Sequence, residues 1–182
     1  MNLWPKLTSI VILAGGTVQM LSAQQKAHIV VPASRVSPMA TTLSAVTASP
    51  ATISFTATDP DLGPFTGSSS ATVSWTTSGG AAASTWTLKV QAAAATFASC
   101  ATVPTSAVTA MCTGVAGGTG GACTGGSGFA LSTAGQQVAS GKEATGAGKS
   151  YSVTINFTLA DSWSYIAKSS CTLSLTYTVT AP

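Results

Sequence analysis

The stretch Cys171–Thr180, which reads CTLSLTYTVT, alternates strictly between two kinds of side chain. The positions suited to burial are Cys171, Leu173, Leu175, Tyr177 and Val179, and every residue between them is Ser or Thr. A period of two is typical of a β-strand with one face in a hydrophobic core and the other in water. Because a shift of one residue would bury the hydroxyl row, the pattern also predicts that the Ser and Thr face points to solvent.

The same alternation occurs in four earlier segments. Their apolar faces are Ile53, Phe55 and Ala57; Ala71, Val73 and Trp75; Trp86, Leu88 and Val90; and Tyr151, Val153, Ile155, Phe157 and Leu159. Clusters of Gly, Pro and Asp at 59–64, 78–80 and 114–128 separate the segments and predict turns. The sequence therefore predicts an all-β chain that folds as a single antiparallel immunoglobulin-like β-sandwich.

The N-terminus has the features of a signal peptide, which we predict over residues 1–23. Lys6 supplies a positive charge, Ile10–Ala14 is the centre of an apolar stretch, and Leu21–Ala23 provides small residues before a cleavage point. The apolar stretch is interrupted by Gly15 and Gly16 and is shorter than the roughly 20 residues of a membrane-spanning helix. We therefore expect a secreted protein, extracellular or at the cell surface, with no transmembrane helix after signal removal.

Residues 24–40 contain Pro32 and Pro38 and show no sustained period. This segment is predicted to be a linker or an extended N-terminal arm. The alternation begins after it, so we assign the β-sandwich domain to residues 41–182. A domain of this size is long enough to form one hydrophobic core.

Charged residues are rare, with seven Lys and Arg and four Asp and Glu among 182 residues. Such a chain cannot neutralise a run of phosphates, so a nucleic-acid partner is not expected. The one histidine, His28, lies in the predicted arm, and no constellation of nucleophile, base or paired carboxylates is visible. We expect a non-enzymatic protein without a cofactor.

Asp59 and Asp61 form a weak calcium-site candidate, although Asp–Pro–Asp–Leu–Gly is more typical of a turn.

Four cysteines in an exported chain predict two disulfides, for which three pairings exist. The favoured pairing joins Cys112 to Cys123, around the Gly-rich loop 113–122, and Cys100 to Cys171. A bond between Cys100 and Cys112 across a hairpin stays open as an alternative. The four residues lack the paired C-x-x-C spacing of a zinc site.

Two short motifs resemble the WxL-type surface domains of bacteria. They are Trp86–Thr–Leu88 and the C-terminal stretch from Leu175 to Pro182, LTYTVTAP. In that family the second motif carries Trp and Leu where this chain has Tyr177 and Val179, and cysteines are not part of the pattern. The resemblance implies a secreted immunoglobulin-like sandwich that attaches non-covalently to the cell envelope, with Trp86, Leu88, Tyr177 and Val179 in the contact region. All four residues would equally suit the core.

Three functions are compatible with these features. The leading hypothesis is a structural or attachment protein of the bacterial cell envelope, whose partner is an envelope polymer or copies of itself. A second hypothesis is a filament subunit, in which an arm from Gln24 to Ala48, with Leu43 and Val46, adds a strand to a neighbouring copy. A third is a carbohydrate-binding module that stacks sugar rings on Trp163 and Tyr165.

Overall fold

A computed structural model describes residues 26–30, 33–36, 42–56, 64–67, 70–78, 84–144, 148–160, 162, 165 and 171–181. Within these ranges only the backbone is described for residues 26–30, 33–36, 42, 56 and 78. The predicted signal peptide at 1–23 lies outside the described residues, and so does Ala57.

The described chain is built almost entirely from β-strands. They are β1 (Lys26–Val30), β2 (Ala33–Val36), β3 (Thr42–Leu43), β4 (Thr47–Ser49), β5 (Thr52–Thr56), β6 (Phe65–Thr66), β7 (Ala71–Ser78), β8 (Thr85–Ala92), β9 (Thr96–Phe97), β10 (Cys100–Pro104), β11 (Val108–Ala116), β12 (Thr119–Cys123), β13 (Phe129–Ala130), β14 (Gln136–Lys142), β15 (Lys149–Leu159) and β16 (Thr172–Thr180). A 3₁₀ turn, Thr105–Ala107, precedes β11. No helix among the described residues is long and apolar enough to cross a membrane.

The strands form two seven-stranded sheets and one small hairpin. Sheet I has the order β12-β14-β8-β16-β1-β5, with β2 also paired to β16. Sheet II has the order β13-β11-β15-β7-β3, with β4 paired to β7 and β6 paired to β15. The hairpin β9–β10 is linked to sheet I by a bridge between Ala98 and Thr172. The strand pairs are antiparallel except where β1 and β2 run parallel to β16.

The inner faces of the two sheets form one core, because the apolar positions of each alternating strand point inwards. These buried residues include Ile53, Phe55, Ala71, Val73, Trp75, Trp86, Leu88, Val90, Tyr151, Val153, Ile155, Phe157, Leu159, Leu173, Leu175, Tyr177 and Val179. The rings of Trp75 in sheet II and Trp86 in sheet I meet edge to face, with centroids 5.1 Å apart. The predicted all-β sandwich is confirmed, and so is the inward face of each alternating segment at every position that the structure describes.

The hydroxyl row of β16 differs in one respect from the expectation that it faces solvent. Thr176 is buried, and the other Ser and Thr residues of this strand are half-buried. The reason is that β16 lies inside sheet I, with β8 on one side and β1 and β2 on the other. On the outer face the side chains of Gln91 and Lys89 stand opposite Thr176 and Thr178.

The Gly-rich stretch predicted as a loop contains a strand. Strand β11 continues to Ala116, and the chain then crosses from sheet II to β12 of sheet I through Gly117 and Gly118. Both glycines have positive φ, of 88° and 73°, a conformation that side chains with a Cβ rarely adopt. A Cβ on Gly117 would also collide with the Ser150 carbonyl. The sequence therefore places glycines at the point where the chain changes sheet.

The two disulfides have the pairing favoured by the sequence. Cys112 of β11 is joined to Cys123 of β12, so this bond connects sheet II to the edge of sheet I. Cys100 of β10 is joined to Cys171, directly before β16, and so ties the small hairpin to the start of the C-terminal strand. No free cysteine remains among the described residues.

Candidate contact surfaces

The outer face of sheet II carries a row of paired hydroxyl side chains, which we call the hydroxyl face. It consists of Thr72, Ser74 and Thr76 of β7 and Ser150, Ser152 and Thr154 of β15. Each residue stands directly opposite a hydroxyl residue of the other strand. All six side chains are exposed or half-buried, and none carries a charge. This arrangement presents a flat array of donors and acceptors rather than an electrostatic surface.

An open groove of about 400 Å³ lies at one end of the hydroxyl face. Its hydroxyl lining is Ser44, Thr47, Ser74, Thr76, Ser150 and Ser152, and its walls are completed by Ala45, Trp75, Ala116, Gly117 and Tyr151. The groove lies where the segment between β3 and β4, residues 44–46, is not paired with β7 as a strand. At this point the Ser44 hydroxyl accepts a hydrogen bond from the Thr76 N–H, at 2.7 Å, in place of a backbone carbonyl. The groove is therefore uncharged, with hydroxyl groups set among apolar walls.

Three aromatic rings support this end of the molecule from inside. Tyr151 stacks on Trp75, with ring centroids 5.6 Å apart, and Trp86 meets both rings at steep angles. The Tyr151 hydroxyl accepts a hydrogen bond from the Ala144 N–H at 2.9 Å. A Cβ on Gly141 would come within 2.6 Å of the Trp86 indole. Only glycine at position 141 therefore lets the indole lie against β14.

Two buried ionisable groups have no hydrogen-bond partner among the described residues. Glu143 is 2% exposed, and neither of its carboxylate oxygens is bonded. Burial raises the pKa of the Glu143 carboxyl above its usual value of 4.5, because desolvation penalises the charged form. Burial also raises the pKa of the Tyr177 phenol, whose hydroxyl is unbonded in the core.

A second candidate surface is the space in sheet I between β16 and β5, which we call the strand slot. Strand β1 occupies it, in parallel register with β16 (His28 opposite Thr172) and in antiparallel register with β5 (His28 opposite Ser54). Strand β2 continues along β16, with Tyr177 opposite Ala33 and Thr180 opposite Val36. The N-terminal segment therefore accompanies the C-terminal strand over most of its length.

The residues of the WxL-like motifs are not on the surface. Trp86, Leu88, Tyr177 and Val179 are all fully buried, on the neighbouring strands β8 and β16. Leu88 stands directly opposite Val179 in the sheet. These motif residues belong to the core and join the C-terminal strand to β8.

The other predicted site residues are placed as follows. Tyr165 is half-buried and packs against the core, and its backbone N–H donates to the Ser162 carbonyl at 3.1 Å. Its predicted partner Trp163 lies outside the described residues, as do Asp59 and Asp61 of the calcium candidate. Within the described part of the chain, no group of three or more His, Cys, Asp or Glu residues could hold a metal ion.

Two of the features above were not identified from sequence. The groove depends on Ser44, whose role as a hydrogen-bond acceptor for another strand has no local signal. Burial of Glu143 depends on an irregularity in β14 between Gln137 and Ala139, which breaks the period of two. The alternation of Ser150, Ser152 and Thr154 is visible in the sequence and could have indicated the hydroxyl face.

Comparisons with known proteins assign no relative to this chain, since no protein-family model, no curated protein and no solved structure matches it significantly.

Proposed function

We propose that the protein is an exported, non-enzymatic structural protein of the bacterial cell envelope, which attaches to an uncharged envelope polymer through the hydroxyl face. The observation that carries this proposal is the array of paired hydroxyl side chains on β7 and β15, with the groove at its end. A hydroxylated polymer offers the complementary donors and acceptors at regular intervals. The resemblance to WxL-type domains supports the same location.

The construction of the domain also favours a structural role. Two disulfides cross-link a sandwich whose sheets share one core, and both bonds are of the kind that forms in oxidising compartments. Disulfides are typical of proteins that must persist outside the cell, where no folding machinery repairs them. The shortage of charged residues removes the groups on which most catalytic sites depend.

The proposal is tested by co-sedimentation of the purified mature protein with isolated bacterial cell walls. We expect the wild type to sediment with the walls and Ser150→Trp to stay in the supernatant, because the indole fills the groove. Thr85→Trp is the matched control, since Thr85 is also exposed but lies in sheet I. Wild-type protein that does not bind walls would overturn the proposal. Equal binding by both variants would show that the hydroxyl face is not the contact.

A further inference from the structure

We propose that the strand slot between β16 and β5 accepts strand β1 (Lys26–Val30) of a second copy of the chain, with β2 (Ala33–Val36) of that copy continuing along β16, so that strand exchange joins the subunits. The inference deepens the proposed structural function and rests on it, because it names the protein itself as a partner. The site is incomplete without this segment, whichever copy provides it.

The first step is that the slot requires a strand. The inner face of β16 is buried and carries Leu173, Leu175, Tyr177 and Val179. Without a neighbour, one edge of this strand would present unpaired N–H and C=O groups beside an apolar face. Such an edge binds any available strand. The chain has few charged residues with which to protect it.

The second step concerns how the segment is held. Its described interactions are backbone pairs: Ile29 lies opposite Leu173 of β16 on one side and opposite Ile53 of β5 on the other. Pairs of this kind depend on register and direction and not on whether the two strands belong to one chain. The segment of a second copy would therefore make the same contacts, as in other cases of strand addition.

The third step concerns the connection. Strand β2 ends at Val36 in sheet I, and the next strand, β3, begins at Thr42 in sheet II. Residues 37–41, which include Pro38, join the two. Domain swapping, the exchange of an identical element between copies, is a low-cost route to dimers, and in an exchanged pair these residues would connect the two copies. Exchange competes with the chain's own segment at an effective concentration on the order of millimolar, so dense packing of subunits favours it.

The test uses single cysteine substitutions in the full mature chain. His28→Cys marks the segment and Ser54→Cys marks the slot, at positions that stand opposite each other. The two variants are unfolded with their native disulfides intact, mixed at high concentration, refolded and oxidised. We expect a disulfide-linked heterodimer whose cross-linked peptides contain positions 28 and 54. The control pair is His28→Cys with Thr85→Cys, because Thr85 lies on β8 away from the slot, and it should give no heterodimer.

A synthetic peptide of residues 24–38 provides a second measurement, because it competes with the segment of the other chain for the strand slot and requires no further substitution. Excess peptide should abolish the heterodimer, and a scrambled peptide should not. The double variant His28→Cys/Ser54→Cys is oxidised in parallel, and it reports the bond within one chain. The inference is overturned if the bond forms only in this double variant, or if no bond between positions 28 and 54 forms at all. Wall co-sedimentation separates this result from the proposed function, since a monomer that binds walls would refute strand exchange alone.

Discussion

Sheet I is extended in different ways on the two sides of its central strand pair, β8 and β16. On one side, β14 and β12 extend the sheet from β8, and β12 directly follows the sheet II strand β11 in the chain. Side-chain packing holds this side, because the Trp86 indole lies against Gly141 and beside Trp75. On the other side, β16 is followed by β1, a strand from the opposite end of the chain.

The two sides differ in the distance along the chain between the segments that they join. On the β12–β14 side, β12 pairs with the nearby strand β14, β14 pairs with the more distant β8, and a disulfide between cysteines 11 positions apart ties β12 to β11. The β16 side depends on a pairing between the two ends of the chain, and its disulfide closes 71 residues. The proposed exchange concerns β1 because this strand pairs with β16, the segment of the chain most distant from it in sequence.

Removal of the Trp86 ring should have the largest effect on the free energy of unfolding, because the ring packs β8 against β14 and against Trp75 of sheet II. Trp86→Ala is expected to lower the free energy of unfolding by about 3–5 kcal/mol, the usual cost of deleting a buried aromatic side chain. Urea denaturation followed by far-UV circular dichroism measures this loss. Thr85→Ala, at an exposed neighbouring position, should change the free energy by less than about 0.5 kcal/mol. A similar loss in both variants would contradict the packing argument.

Removal of each disulfide compares the two sides directly. In the chain-entropy model, Cys100→Ser/Cys171→Ser should lose about 4 kcal/mol, because the bond closes 71 residues. Cys112→Ser/Cys123→Ser should lose only about 3 kcal/mol, because its loop has 11 residues. Urea denaturation of both double variants and the wild type gives the two values. The reverse order would show that native-state packing around Cys112 outweighs loop length.

A methyl group added at Gly141 tests how closely β14 packs against Trp86. The Cβ of Gly141→Ala would meet Trp86 at 2.6 Å, and overpacking of this kind is expected to cost about 1–3 kcal/mol. Gly126→Ala is the matched control, since nothing lies within 4 Å of a Cβ there and its φ is not positive. Thermal unfolding of both variants checks the prediction, which fails if Gly141→Ala is as stable as the wild type.

The smallest effect is expected at Glu143, the residue after β14 whose carboxyl pKa is raised by burial. A raised pKa means that the folded state binds a proton more tightly than the unfolded state. The contribution of Glu143 to stability is therefore greatest below its unfolded pKa of about 4.5 and falls as the pH rises through the folded pKa. Glu143→Gln should be more stable than the wild type at neutral pH and should lose this part of the pH dependence.

Urea denaturation between pH 4 and pH 8 measures the effect, with Lys142→Gln as a control at the exposed neighbouring position. If Glu143→Gln and the wild type have parallel stability profiles, the carboxyl of Glu143 is not desolvated in the folded state.

The alternating strands were predictable because the polarity of each side chain indicates whether it is buried or exposed. Strands β15 and β16 have long, regular periods, and their inner faces follow directly from residue type. Strands β11 and β14 were not identified in this way. Their inner faces carry small residues such as Ala110, Ala139 and Gly141 beside few large apolar side chains, and irregular registers at Cys112–Gly114 and Gln137–Ala139 interrupt the period of two.

The sequence by itself determined the all-β class, the inward faces of the alternating strands and the favoured pairing of the four cysteines. These follow from local alternation and from the spacing of residues along the chain. Only the tertiary structure decided that β1 runs parallel to β16, that Ser44 shapes a groove on the hydroxyl face and that Glu143 is buried. Each of these depends on contacts between segments far apart in sequence, and no local pattern records which distant segment a strand edge will meet.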